Sequence, residues 1–324
     1  MIHKKEEAEN TSDKDLSEKG VLTYANVYRT RDIAALEERE AAKPLKERKN
    51  IKELRPNEDA TKTLKTAIGK AISSGQYQKF VTFHSQYMFD IHSMFGPTRL
   101  NQRFLPWHRV YLVKFEEMLN NVMKMETGQD SNIAIPYWDW EHDQELPEFL
   151  NDLTPKMDVE VYRWSRDGFP ISHKVYNLTV RRFLGTIPGF NKLPTEQLVN
   201  KIRKESNYVR FTTKFEFGPH GVVHEWVGGQ NPAPDPTVDG LDDGGAMALL
   251  EVSPLDFCFW CHHANIDRIW AEWQKNLEQA GNTSNIYPEL NGNAGPTTNP
   301  RMDPWTDIMV DQTRDTEMMG YTYK

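Results

Sequence analysis

Cysteine is nearly missing. The chain has only Cys258 and Cys261, too few for a disulfide framework, and at this spacing they share a helix face rather than bridge distant segments. A zinc-binding Cys-x-x-Cys would need a second pair, and none exists. Long apolar runs are missing too: none approaches the ~20 residues that span a bilayer. No apolar segment follows Met1-Ile2-His3-Lys4-Lys5-Glu6-Glu7, so a cytoplasmic protein with no membrane partner is expected. Positive charge is in deficit, with 39 Lys and Arg against 47 Asp and Glu. The net charge of −8 argues against nucleic acid as a partner. What remains is a 324-residue chain, 38% apolar and 27% charged, with a mean hydropathy of −0.70. It is long enough to bury a substantial core.

Residues 1–20 are almost all polar or charged and read as a disordered tail. A second charged stretch, Glu37 to Asp59, carries Pro44 and Pro56. From Asp59, the spacing of Leu64, Ala67, Ile68, Ala71 and Ile72 predicts a helix. It breaks near Ser73-Ser74-Gly75 and resumes through Tyr77, Phe80, Val81, His84, Met88 and Ile91 towards Gly96-Pro97. A third helix is predicted from about Pro106, whose missing N–H suits a first turn, through Val122. Residues 141–215 are rich in Pro, Asn, Asp and Lys and read as loops with short helices. The segment NPAPDPTVDGLDDGG (231–245) holds too much Pro and Gly for regular structure. A last helix is predicted between Pro254 and Leu277. The expected fold is mainly α with little sheet, its chemistry held between helices.

The unusual chemistry lies in the ten histidines. His220 and His224, at i and i+4, share one helix face and can reach one ion. His263 lies in the apolar helix DFCFWCHHANIDRIWAEWQ, where an imidazole is costly to bury without a partner; Asp267, one turn on, is placed to orient a ring or pair with Arg268. His84 and His92 stand eight apart on one helical stretch, about 80° apart around its axis. His108 opens the next helix. Imidazole suits copper, zinc, iron or nickel. With no Glu-x-x-His pairs and no His-Glu-x-x-His, two nitrogen-only sites of three histidines favour two coppers. His3 falls in the tail, His142 in the acidic turn WEHDQE, and His173 in a loop with no partner at metal spacing. The tryptophans at 107, 138, 140, 226, 260, 270 and 273 read as core around the site.

FLPWHRVYLVKFE (104–116), IPYWDW (135–140), PHGVVHEWVGG (219–229) and DFCFWCHHANIDRIWAEWQ (256–274) resemble, in order, the tyrosinase/catechol oxidase family of coupled binuclear (type 3) copper proteins. The resemblance runs from about Val27 to Tyr323 and implies a central four-helix bundle. It implies a first copper on His84, His92 and His108 and a second on His220, His224 and His263, with dioxygen as co-substrate and a small phenol or catechol as substrate. His262 is then a neighbour of a ligand or a packing residue. Glu216 matches the family glutamate that holds a water beside the second copper, and so is the candidate base for a phenol proton. Glu225 and Leu250 are expected near the pocket, the leucine as a gate to the first copper.

The chain departs from the family pattern in several places. GPTRLNQ lengthens the spacing between His92 and His108. Asp90 stands where members often have the cysteine that forms a thioether. Phe257 replaces the proline of the usual Asp-Pro. Gly221 follows His220 where strong monophenol hydroxylators often carry Asn, which weighs against hydroxylation. Tyr321-Thr322-Tyr323 resembles the Tyr-x-Tyr closing the catalytic domain, with Arg29 or Arg31 as its expected partner. Residues 21–324 are thus expected to form one catalytic domain without a shielding C-terminal domain. The expected activity is oxidation of o-diphenols to o-quinones with some ortho-hydroxylation of monophenols. An o-aminophenol oxidase or a hemocyanin-like oxygen carrier are the other readings. The oligomeric state is open.

Overall fold

The computed structural model describes residues 44–92, 103–165, 168–282, 286 and 301–324. The tail 1–20, Arg29, Arg31 and Gly96-Pro97 lie outside the described residues. Residues 46–324 form one compact unit. Among the described residues, helices dominate: α1 (Asp59–Ser73), α2 (Gln76–Ile91), α3 (Phe104–Thr127), α4 (Glu196–Arg203), α5 (Tyr208–Phe215), α6 (Gly221–Gly228) and α7 (Phe257–Gln279). None is long and apolar enough to cross a membrane.

The helix boundaries follow from local chemistry. Leu64, Ala67, Ile68 and Ala71 are the buried face of α1. The predicted break falls at Gly75, whose φ of 74° lies in the left-handed region that glycine enters without a Cβ penalty. Helix α3 begins two residues before Pro106, so the proline sits in a first turn where no backbone donor is lost. Asp256 caps α7 by accepting from the Cys258 N–H at 2.9 Å, and Arg182 grips the same carboxylate through two bonds of 2.7 Å. An aspartate thus starts this helix without the proline that usually follows.

The core is aromatic. Trp260 of α7 stacks on Phe115 of α3, centroids 3.6 Å apart, and its Nε1 donates to the Tyr77 hydroxyl of α2 at 3.0 Å. One side chain therefore joins three helices. Trp107, Trp138, Trp140, Trp270 and Trp273 are also fully or almost fully buried. Cys258 and Cys261 are buried and free, packed as small apolar residues.

Among the described residues, sheet is limited to three two-stranded pairs. One corrects the reading of residues 141–215: β2 (Lys156–Trp164) and β3 (Pro170–Thr179) form an antiparallel hairpin. Met157, Val159 and Val161 are buried and alternate with polar residues, the period-2 signature of a half-buried strand. Ser85 of α2 fastens this hairpin, accepting the Tyr162 N–H at 3.2 Å and, through its carbonyl, the Trp164 Nε1 at 2.8 Å. The other pairs are β1 (Lys46–Arg48) parallel to β6 (Tyr321–Tyr323), and the short β4 (Arg301–Met302) with β5 (Trp305–Met309).

The β1–β6 pair supplies the arginine expected at Arg29 or Arg31: it is Arg48. Its guanidinium lies 3.6 Å over the Tyr321 ring and donates to the Tyr323 hydroxyl at 2.9 Å. Asp267 has a different role from the one expected, neither orienting an imidazole nor pairing with Arg268. It accepts from Arg109 at 2.5 Å, Arg48 at 3.2 Å, Tyr321 at 2.5 Å and Tyr323 at 2.6 Å, while Arg268 turns to Asp139 and Glu272. The reason is rotational: Asp267 and Arg268 are successive helical residues and leave α7 about 100° apart.

Burial alone would raise the Asp267 pKa, but Arg109, Arg48 and the two tyrosine hydroxyls hold it below the ordinary aspartate value. A carboxyl with a depressed folded pKa stabilises the fold above its unfolded pKa, and that contribution disappears as pH falls through the folded value. Asp267→Ala is expected to cost about 3–5 kcal/mol in denaturant unfolding, because it strands buried guanidinium charge. Asp267→Asn is expected to flatten the decline in stability below about pH 4; an unchanged acid limb would remove Asp267 as the centre of this network.

Candidate metal centre

Four helices bring histidines to one buried place. His84 projects from the middle of α2 and is fully buried. His92 was expected on the same helical stretch, but α2 stops at Ile91 and His92 is extended, with φ −112° and ψ 134°. The Met88 carbonyl, near the helix end where acceptors lack partners, receives both the His92 N–H at 3.1 Å and its Nδ1 at 3.0 Å. Leaving the helix carries this ring to His84, 5.2 Å between centroids, instead of along a helix face. His108, in the first turn of α3, donates from Nδ1 to the Phe104 carbonyl at 2.7 Å. Its ring is 5.8 Å from His84 and 5.4 Å from His92.

The second group is built on a distorted turn. Residues Glu216–His220 form a π turn in which Gly218 leaves helical geometry, followed directly by α6. His220 donates from Nδ1 to the Glu216 carbonyl at 3.1 Å, and His224 to the Met247 carbonyl at 2.6 Å. Their rings are 4.5 Å apart. Gly228 and Gly229 close α6 because nothing larger fits: a Cβ on Gly228 would meet the Ala248 nitrogen at 2.1 Å, and one on Gly229 the Phe183 carbonyl at 1.7 Å. From α7, His263 lies 5.2 Å from His220 and stacks on His108 at 4.1 Å and 9°, between the two groups. His262 joins the second group, 5.1 Å from His224.

The donor atoms within each group lie within 4.8 Å of one another. Carbonyls accept only, so His92, His108, His220 and His224 carry their proton on Nδ1 and present a lone pair at Nε2. Each of those Nε2 atoms is buried with no hydrogen-bond partner, as are both ring nitrogens of His84 and His263; His262 faces the His220 backbone carbonyl. Burial holds all seven imidazoles below their ordinary pKa, His92 and His224 at about 4. They are therefore neutral, the form that binds a metal. Two cups of neutral imidazoles with inward, unsatisfied lone pairs fit two ions of a nitrogen-loving metal.

The remaining candidates take definite places. Glu216 is buried at the start of the turn before His220. Gly221 has φ −61° and ψ −38°, and a Cβ there would touch only the Glu216 carbonyl at 3.6 Å; a larger residue would fit. Glu225 follows His224 and is partly buried, which raises its carboxyl pKa. Leu250 is partly exposed, and its carbonyl lies near enough to His84 to favour ring protonation, though burial outweighs it. Asp267 touches no histidine but holds Arg109, the neighbour of His108. His142 and His173 are exposed beside Asp139 and Glu160, and His3 is outside the described residues. Sequence reasoning missed Phe104 and Phe259, which wall the centre 4.8 Å from His220 and 4.2 Å from His263. Both stand four residues before a histidine, so helical spacing was a usable signal; nothing local pointed to the Met247 carbonyl.

The family model for the common central domain of tyrosinase matches residues 74–201 and 187–276. A tyrosinase of Streptomyces antibioticus is 32% identical over 279 residues, covering 74% of this chain and 88% of that protein. This chain belongs to the tyrosinase family. A polyphenol oxidase structure (mutant G292N) from Thermothelomyces thermophila shares the fold, with a TM-score of 0.55 at 20% identity over 91% of this chain and 94% of that one. A G-type hemocyanin of Enteroctopus dofleini is 28% identical over 70% of this chain but only 7% of its own length. The chain is a type 3 copper oxidase of tyrosinase type, and its cofactors are two copper ions. His92→Ala is expected to leave one copper per chain by metal analysis; full retention of both ions would remove His92 from the ligands.

Proposed function

We propose that this enzyme oxidises o-diphenols to o-quinones with dioxygen, with weaker ortho-hydroxylation of monophenols. The observation that carries the reading is the pair of neutral, buried imidazole groups with unsatisfied lone pairs facing one another across the His108–His263 stack. His84, His92 and His108 would hold the first copper and His220, His224 and His263 the second. His263 is chosen because its ring lies between the groups. Copper bound there would supply the redox chemistry by which one dioxygen is reduced to two waters as two catechols each lose two electrons and two protons.

The protein's own residues do the rest. Phe104 and Phe259 exclude water around the imidazoles and offer apolar walls to an aromatic ring. Glu216, buried one turn before His220, is the base for the phenol proton, acting through a water. Gly221 leaves the position after His220 without a side-chain amide to help hold that water, which supports diphenol oxidation as the stronger activity. An o-aminophenol presents the same ortho geometry and is the second substrate class. Oxygen uptake by copper-loaded protein with a catechol and a monophenol tests the reading: rapid uptake with catechol and slow uptake with monophenol is expected. An oxygen-dependent absorption band without turnover of either would favour a carrier instead.

Glu225 sets substrate charge in this reading. A carboxylate beside His224 favours amine-bearing phenols such as tyramine or dopamine over carboxylate-bearing ones. Glu225→Gln is expected to reduce that preference in kcat/KM by about 5–10-fold, corresponding to the loss of ~1 kcal/mol for a partly exposed charge pair. An unchanged ratio would end the assignment.

A further inference from the structure

Among the described residues, β3 has a strand beside it on one side only, β2. The outer edge of β2 is taken by α2: the Tyr162 N–H donates to the Ser85 hydroxyl at 3.2 Å, and the Glu160 carbonyl accepts from Thr82 at 2.9 Å. Tyr162 and Glu160 therefore turn these backbone groups away from β3. Their partners in the register are His173 and Val175. Directly opposed residues of an antiparallel pair share this orientation, so His173 and Val175, and by alternation Ile171, direct their N–H and C=O groups to the open edge. The side chains of the same three residues lie on one face of the strand. Ile171 is 67% and Val175 61% exposed, and Phe169 just before the strand is 70% exposed.

Edge strands are ordinarily guarded by a lysine or another charge. Here Lys174 points to the opposite face, that of buried Tyr176, where Asp239 accepts from the lysine at 3.2 Å and from the Tyr176 hydroxyl at 2.7 Å. His173 is drawn back over its own hairpin, stacked on Tyr162 at 5.2 Å and 16° and donating from Nδ1 to Glu160 at 2.9 Å. The order Ile-x-His-x-Val is self-complementary. With a two-fold axis at His173, Ile171 of one copy lies opposite Val175 of the other on both sides of the axis. Lys174 lies opposite Ser172. Apolar residues meet apolar residues, and no lysine or carboxylate meets its like.

We propose that the protein forms a two-fold dimer in which β3 pairs antiparallel with β3 of a second copy, joining two hairpins into one four-stranded sheet. Main-chain hydrogen bonds from Ile171, His173 and Val175 hold the pair together, as in other cases where a strand is added to an open edge. The two Ile171–Val175 contacts fix its register, since a shift of one residue would turn the apolar side chains to the other face. The interface uses no histidine of either metal-binding group and is independent of the dicopper reading.

Sedimentation velocity of the full-length protein tests this, with a dimer expected at micromolar concentration. Combining Ile171→Lys with Val175→Lys sets lysines opposite one another across the axis and is expected to weaken dimerisation by about 100-fold. Both side chains are exposed in the single chain, so the far-UV circular dichroism of this variant is expected to match wild type. Cross-linking tests the register separately. Across the proposed axis the two Cα atoms of residue 173 stand about 5.5 Å apart, within reach of a disulfide. Under mild oxidation His173→Cys is expected to give a covalent dimer, whereas Ser172→Cys, facing Lys174, stays unlinked. The native Cys258 and Cys261 are buried and do not compete. A monomeric wild type, a dimer that survives the paired lysine substitutions, or equal cross-linking at 172 and 173 would each overturn the proposal.

Discussion

Six imidazoles buried with unpaired ring nitrogens are the constraint on which this structure depends. A buried polar atom without a partner costs about 1–3 kcal/mol, so such a cluster persists only inside a frame that overrides it. The frame is the aromatic packing of α2, α3 and α7 around Trp260, Phe115 and Tyr77, closed by the hairpin fastened to Ser85. That cost is also the basis of the function. Each lone pair denied a hydrogen bond is available to a metal, and four rings are fixed through Nδ1 on backbone carbonyls so that Nε2 faces inward.

The second organising feature is the carboxylate of Asp267. It lies one turn beyond His263 on α7 and binds Arg109, the residue after His108 on α3, so it links the two helices whose histidines stack at 4.1 Å. Arg48 of β1 and Tyr321 and Tyr323 of β6 complete its coordination. The two terminal strands of the described unit thus converge on the carboxylate that keeps the histidine-bearing helices in register. A buried ion network of this kind adds little stability over an apolar core, but it penalises every arrangement that leaves one of its charges unpaired.

Much of the fold was legible because hydrophobic spacing reports which face of a helix is buried. Leu64, Ala67, Ile68 and Ala71 defined α1, and Ser73-Ser74-Gly75 its end. The β2–β3 hairpin was also encoded, in the alternation of Met157, Val159 and Val161, but the polar composition of the surrounding segment obscured it. Arg48 was not separable from Arg29 and Arg31, since each is an arginine ahead of the bundle and only strand pairing decides which meets Tyr321. His92 shows the same limit at the site: its spacing from His84 describes a helix, whereas its position depends on where that helix ends.

By itself the sequence determined the chemistry available: histidines in two sets, one of them at i and i+4, in apolar helices that leave imidazole few partners other than metal. Those properties are local, set by residue type and helical period. Tertiary structure alone decided which nitrogens face inward, because the carbonyls that orient them belong partly to distant segments such as Met247. It also decided that His263, rather than His262, lies between the two groups. The direction in which a helix turns its residues is fixed by what packs against it, and that is a property of the assembled bundle.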